Sequence, residues 1–189
     1  MRWITAALLL AWPLLPIDRS VRDAVQAERR PWLEAPMHAV SDDARPALGA
    51  GLVVALLVPA GRAFAIEAAL ALAPVNVTVE TLKRLTDRAR PDGAHSRSNA
   101  AFPSSHAANA FAVATVLARR WRRTWPAAFA LAAIVAYSRL YLDRHWFTDV
   151  LAGAALGALL AGLTVELWRR RIARTVGEGT PASATRNDV

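Results

Sequence analysis

The chain has 189 residues, enough for one domain; 54% of them are apolar and the formal net charge is +8. It has no cysteine, which excludes disulfides, a thiolate nucleophile and cysteine-ligated metal sites. The positive excess lies between apolar runs rather than in one stripe, so it marks membrane topology and anion binding, not a nucleic-acid partner.

In chain order the apolar runs cover residues 3–17, 47–60, 63–79, 107–118, 126–137 and 146–168. They predict an all-α fold, an integral membrane bundle of about six transmembrane helices. Several runs are shorter than the roughly 20 residues of a full span and reach it when flanking polar groups snorkel or face the bundle interior. A soluble bundle is the alternative. It would need more polar helix faces than this chain has, and Trp3, Trp125, Trp146 and Trp168 near the run ends suit an interfacial belt.

The first run follows Arg2 as in a signal peptide but ends Leu15-Pro16-Ile17-Asp18, without a small-residue cleavage site; a retained span is expected. Residues 18–30 are charged, with Val21 and Val25 one turn apart, and predict a helix on the membrane surface that Pro31 ends. Ser41-Asp42-Asp43 reads as a cap before the second run, and Pro59-Ala60-Gly61 as a turn after it. The third run continues into a helix carrying Lys83, which Pro91 stops. A short polar loop over 92–102 leads to Ser104 or Ser105, either of which can cap the fourth run. Gly153, Gly157 and Gly162 in the last run predict close helix packing. Residues 1–172 form the expected membrane-embedded domain, and 173–189 an expected disordered tail. The arginine clusters at 119–123 and 169–171 fall on one side of a six-span chain, the cytoplasmic side by the positive-inside rule.

Three blocks carry the chemistry. The first is Lys83, six residues, then Arg90-Pro91. The second is Pro103-Ser104-Ser105-His106. The third is Ser138-Arg139, five residues, His145, three residues, Asp149. By accident a chain of this length would match the third block roughly one time in a thousand. Lys83 is the only lysine against 22 arginines, which singles it out, because a compact ammonium and a planar guanidinium are not interchangeable around an anion.

Lys83 and Arg90 are two helical turns apart and point the same way. With Arg139 they form a cationic set that a phosphate would satisfy, and backbone N–H groups at Ser104-Ser105-His106 add donors at a helix start. His145 and Asp149 are one turn apart, so the carboxylate can fix the imidazole tautomer and leave the other nitrogen to attack phosphorus. His106 can protonate the leaving oxygen and later activate water. No metal-binding carboxylate cluster is evident, so neither a metal nor another cofactor is expected. The 31 residues between His106 and Ser138 allow one helix away and one back, which brings the second and third blocks together.

Over roughly residues 81–153 these blocks resemble the type-2 phosphatidic acid phosphatase superfamily, which also includes bacterial acid phosphatases and vanadium haloperoxidases. The six-span layout is similar to that of its membrane lipid phosphatases. The resemblance implies that His145 is the nucleophile, Asp149 its partner and His106 the acid, with Lys83, Arg90, Ser104 and Arg139 holding the phosphate; Ser105, beside Ser104 at the helix start, is a further phosphate-binding candidate. The candidate lipid substrates it implies are polyprenyl diphosphate, phosphatidic acid and phosphatidylglycerol phosphate; the arginine clusters put the three blocks on the opposite, extracytoplasmic face. One position departs: Ser105 stands where the family has glycine, and either takes a strained backbone or adopts ordinary helical angles and offers a hydroxyl. A vanadate-dependent haloperoxidase and a non-catalytic membrane protein are the competing readings. His38 and His95 lack sequence partners, and Asp87, Asp92 and Asp143 are expected to balance arginines.

Overall fold

The computed structural model describes residues 15–94 and 100–178. The described residues form six α-helices and a short 3₁₀ turn, with no strand among them. They are α1 (Leu15–Ala27), α2 (Pro31–Leu57), α3 (Arg62–Thr86), α4 (Ser105–Arg120), α5 (Trp125–Tyr141) and α6 (Phe147–Glu178). The expected first span lies almost wholly outside the described residues, as does His95.

The interior is built from small side chains. Ala68, Ala71, Val75 and Val79 of α3 meet Ala108, Ala112 and Val116 of α4 and Ala161 and Val165 of α6. The large apolar side chains lie outside, among them Leu57, Val77, Leu131, Leu159, Leu163 and Leu167. Large apolar side chains turned outward around a core of small ones suit lipid, not water. Two helices, α3 and α6 over Phe147–Thr175, are long and apolar enough to cross a membrane. The other expected spans among the described residues are shorter or mixed. At 16 and 17 residues, α4 and α5 fall below the usual span of about 20.

The second expected span is part of a longer helix. Pro31 does not end a surface helix; it occupies the first turn of α2, where its missing N–H has no intrahelical partner to lose. Ser41-Asp42-Asp43 is not a cap but lies inside α2, with Ser41 fully buried. Only the half of α2 beyond the charged residues Asp42, Asp43 and Arg45 is continuously apolar.

Glycine brings α6 against α4. A Cβ at Gly153 would land on the Ser104 carbonyl oxygen, and one at Gly157 on that of Ala108. Gly162 faces only the Arg119 side chain. The packing expected of this series therefore holds most strictly at its first two members. Away from the site, Glu67 is bound bidentately by Arg169, both contacts 2.9 Å, although Arg62 is nearer in sequence.

Candidate active site

The antiparallel course of α3, α4, α5 and α6 puts the end of α3, the start of α4, the end of α5 and the start of α6 at one pole. All three sequence blocks lie there. Asp87 caps α3 in a left-handed conformation (φ 45°) and turns the chain toward Arg90. Aspartate tolerates that region better than most residues. Ala101 N–H donates to the Arg88 carbonyl at 2.7 Å, tying the first block to the segment before α4. Ser104 is the N-cap of α4, its hydroxyl accepting from Ala107 N–H. Its own N–H donates to the Asp149 carbonyl at 2.9 Å, which joins the second block to the third. After α5, Asp143 at φ 58° reverses the chain, and the Arg144 and His145 N–H groups both donate to the Arg139 carbonyl.

Lys83, Arg90, Ser104, Ser105, Arg139, His145 and Asp149 are all buried, and His106 is half-buried. Lys83, Arg90 and Arg139 lie within electrostatic reach of one another, as do His106, His145 and Arg139. Cations gathered at a buried site repel until an anion joins them. Arg139 donates through Nη1 to Ser41 Oγ, while its buried Nε has no partner among the described residues. Ser105 has no positive φ and begins α4, so it takes ordinary helical angles and the substitution for glycine carries no backbone strain.

The imidazole of His145 is oriented differently from the expectation. Its Nδ1 lies 2.8 Å from the Ala101 carbonyl oxygen and 3.8 Å from Asp149 Oδ2. The carbonyl can only accept, so Nδ1 carries the ring hydrogen and donates it, which leaves Nε2 of the neutral ring unprotonated; Asp149 acts on the ring as a nearby charge. Burial pushes the His145 pKa down, and Asp149 opposes that shift. Both oxygens of Asp149 are engaged: Oδ2 by Trp146 N–H at 2.8 Å, Oδ1 by Arg88 Nη1 at 2.6 Å. Among the described residues no group of three histidine, aspartate or glutamate side chains could hold a metal ion.

Four participants escaped the sequence reading. Arg88 bridges Asp149 to the fully buried Asp18 of α1, at 2.6 and 2.5 Å. Ser41 holds Arg139. Arg45 adds a fourth cation, felt by both Lys83 and His106. Of the acidic residues expected to balance arginines, Asp143 is bound bidentately by Arg22 at 2.6 Å, and Asp92 meets Arg144 at 3.3 Å. Exposed His38 pairs with Asp42 within α2.

Beside His106 opens a cavity of about 250 Å³ between α2, α4 and α5. Arg45, His106 and Asn109 are its polar members; Leu48, Val113, Leu117, Leu131 and Val135 belong to its apolar wall. A cation-rich pole that continues into an apolar cleft, on a bundle with a lipid-suited exterior, defines a membrane phosphohydrolase. Residues 64–173 match the PAP2 superfamily, and the chain belongs to that family.

Over 99 residues, 50% of this chain and 22% of the relative, it is 38% identical to the lipid A 1-phosphatase of Porphyromonas gingivalis. Over 179 residues, 83% of this chain and 86% of the relative, it is 29% identical to phosphatidylglycerophosphatase B of Bacillus subtilis. The crystal structure of a transmembrane PAP2-type phosphatidylglycerolphosphate phosphatase from Bacillus subtilis superposes with a TM-score of 0.65 at 25% identity, covering 89% of this chain and 95% of that one.

Proposed function

We propose that this protein hydrolyses the phosphomonoester or diphosphate of a membrane lipid through a phosphohistidine. The observation that carries the reading is the convergence of Lys83, Arg90 and Arg139 on a pole that also holds His145, whose Nδ1 is occupied by the Ala101 carbonyl. The free Nε2 lone pair attacks the terminal phosphorus, its bond to the leaving oxygen (the lipid oxygen of a monoester, the bridging oxygen of a diphosphate) breaks, and His106 gives that oxygen its proton. His106 then takes a proton from water as the water attacks the phosphohistidine. Free phosphate leaves and His145 is regenerated.

The three cations, with Ser104 and Ser105 at the start of α4, bind the phosphoryl oxygens and stabilise the charge that develops on them. That is the work a metal ion performs in other phosphatases, so the reaction needs none. The apolar cleft beside His106 suits a lipid chain. Candidate substrates are polyprenyl diphosphate, phosphatidic acid and phosphatidylglycerol phosphate; the names of the relatives favour the last and add a lipid A phosphate. The bundle crosses the membrane about six times, with the catalytic pole extracytoplasmic. In support, Arg119, Arg120, Arg169 and Arg170 crowd around Glu67 and Glu166 at the opposite ends of α4 and α6.

The test is phosphate release by detergent-purified protein in EDTA, on each of these lipids, against a His145→Ala control. Release that disappears in the variant supports the reading and ranks the substrates. Release that survives in the variant, or needs an added metal, overturns it.

A further inference from the structure

Asp18, Arg22 and Gln26 follow one another at intervals of four, so they form one face of α1. Each reaches the segment that carries the third block. Gln26 Nε2 donates to the carbonyls of Leu140 and Tyr141, at 3.3 and 3.2 Å. Arg22 grips Asp143 through two 2.6 Å bonds. Asp18 accepts from Thr148 N–H at 2.8 Å and from its hydroxyl at 2.9 Å, at the start of α6. The helix expected to rest on the membrane surface is also bound by its polar face to the turn that holds His145.

Asp18 differs from the other two because it is fully buried. A buried carboxylate persists where a cation and hydrogen bonds meet it. Arg88 is that cation. Its Nη2 donates to Asp18, and its Nη1 to Asp149 at 2.6 Å and to Thr148 Oγ1 at 2.8 Å. One planar guanidinium thus spans two carboxylates, and its fork sets their separation.

We propose that Asp18 and Arg88 are positioning residues for His145, acting through Asp149. Arg88 fixes the carboxylate that faces the imidazole, and Asp18 fixes the rotamer of Arg88. Without Arg88, Asp149 loses the partner of one oxygen and the two carboxylates face each other uncompensated. Without the charge of Asp18, Arg88 is held at one end only. The charged and titratable groups around His145 are Asp149 from α6, Arg139 from α5, Arg90 from the segment after α3 and His106 from α4. Arg88 and Asp18 stand one and two steps behind Asp149.

The turnover part of the test rests on His145 being the phosphatase nucleophile; the spectroscopic part does not. Protein labelled with ¹⁵N-histidine is titrated by NMR in detergent micelles, with the His145 signals assigned by their absence from His145→Gln. Removing the Arg88 cation (Arg88→Ala) raises the His145 titration midpoint, and removing the Asp18 anion (Asp18→Asn) lowers it, each by roughly half a pH unit or more. Arg22→Ala loosens α1 from the same turn without touching Asp149 and leaves the midpoint in place. With dioctanoyl phosphatidic acid, Arg88→Ala lowers kcat roughly 10- to 100-fold with KM changed less than about threefold, and Arg88→Lys restores part of the loss. If Arg88→Ala fails to fold, Arg88→Gln, which removes the cation but keeps much of the side chain, carries the same comparison beside Asp18→Asn.

Unshifted midpoints in the Asp18 and Arg88 variants, or an Arg22→Ala that reproduces Asp18→Asn, would overturn the proposal by reducing α1 to a structural clasp. Wild-type protein that releases no phosphate from any lipid defeats the functional reading instead, while the midpoints still decide this one.

Discussion

The His145 imidazole donates its Nδ1 proton to the Ala101 backbone carbonyl at 2.8 Å, while Asp149 stands 3.8 Å from the same nitrogen. A backbone acceptor cannot be removed by substitution, so the tautomer survives changes at Asp149. Asp149→Asn should therefore retain the reactive tautomer and lose only the charge that steadies the cationic ring. The expected fall in kcat is about 10- to 100-fold. That is smaller than the ~10⁴ seen where a carboxylate alone fixes the tautomer. His145→Ala, by contrast, should abolish turnover. A loss in Asp149→Asn as complete as in His145→Ala would refute this division of labour.

Burial lowers the His145 pKa below its ordinary value of 6.5, and in the proposed mechanism the neutral ring is the nucleophile. The acid limb of the kcat profile attributable to His145 should therefore lie below pH 6.5. Stability follows the same sign. The folded state disfavours protonated His145 relative to the unfolded chain, so the unfolded chain binds the proton first as pH falls. The His145 contribution is present above pH 6.5 and is lost as pH drops from there toward the depressed folded value. Thermal unfolding across that window, compared with His145→Gln, isolates the contribution. Stability that rose on acidification through this window only when His145 is present would contradict the assignment.

Gly153 and Gly157 are sites where α6 touches the backbone of α4, and backbone cannot move aside as a side chain can. Gly153→Ala and Gly157→Ala should each destabilise the protein by about 1–3 kcal/mol through overpacking. Gly153→Ala should also lower turnover, because the carbonyl it would strike belongs to Ser104, whose hydroxyl caps α4. Gly162→Ala meets only the mobile end of Arg119 and should be tolerated within about 0.5 kcal/mol. Detergent melting curves of the three variants should give that order, with Gly162→Ala nearest wild type.

The three blocks were legible because their residues recur at short spacing, four positions from His145 to Asp149 and seven from Lys83 to Arg90, although α3 ends at Thr86 and α6 starts at Phe147, so neither pair shares a helix. Ser104 could be read as a cap from the residues that follow it. The network behind Asp149 was hidden for two reasons. The Asp18–Arg88 pair spans 70 residues and Arg139–Ser41 spans 98, and local periodicity is blind to both. Arg88 also lies within the first block, where it looked like one more arginine among 22. A signal did exist in α1, whose polar residues recur every fourth position. The extent of α2 was hidden because Pro31 was read as a stop and Ser41-Asp42-Asp43 as a cap, whereas the helix starts at Pro31 and runs on through Pro36 and Pro46. Its packing against α3 and α5 offsets the backbone bonds that those prolines remove.

Ser105 tests whether the family glycine is needed at the start of α4. Its backbone is helical rather than left-handed, so a side chain is tolerated sterically at this position. Ser105→Gly should then keep kcat within about threefold of wild type. It should also lower stability by less than about 1 kcal/mol, through the entropy of the added glycine. Ser105→Ala separates the hydroxyl from the backbone. If the hydroxyl contacts the phosphoryl oxygens, KM for the lipid phosphate rises in both variants; if only the N–H groups of this turn bind them, neither variant moves it. A kcat gain of tenfold or more in Ser105→Gly would mean that serine impairs this site, and would count against the unstrained backbone at the N-terminus of α4.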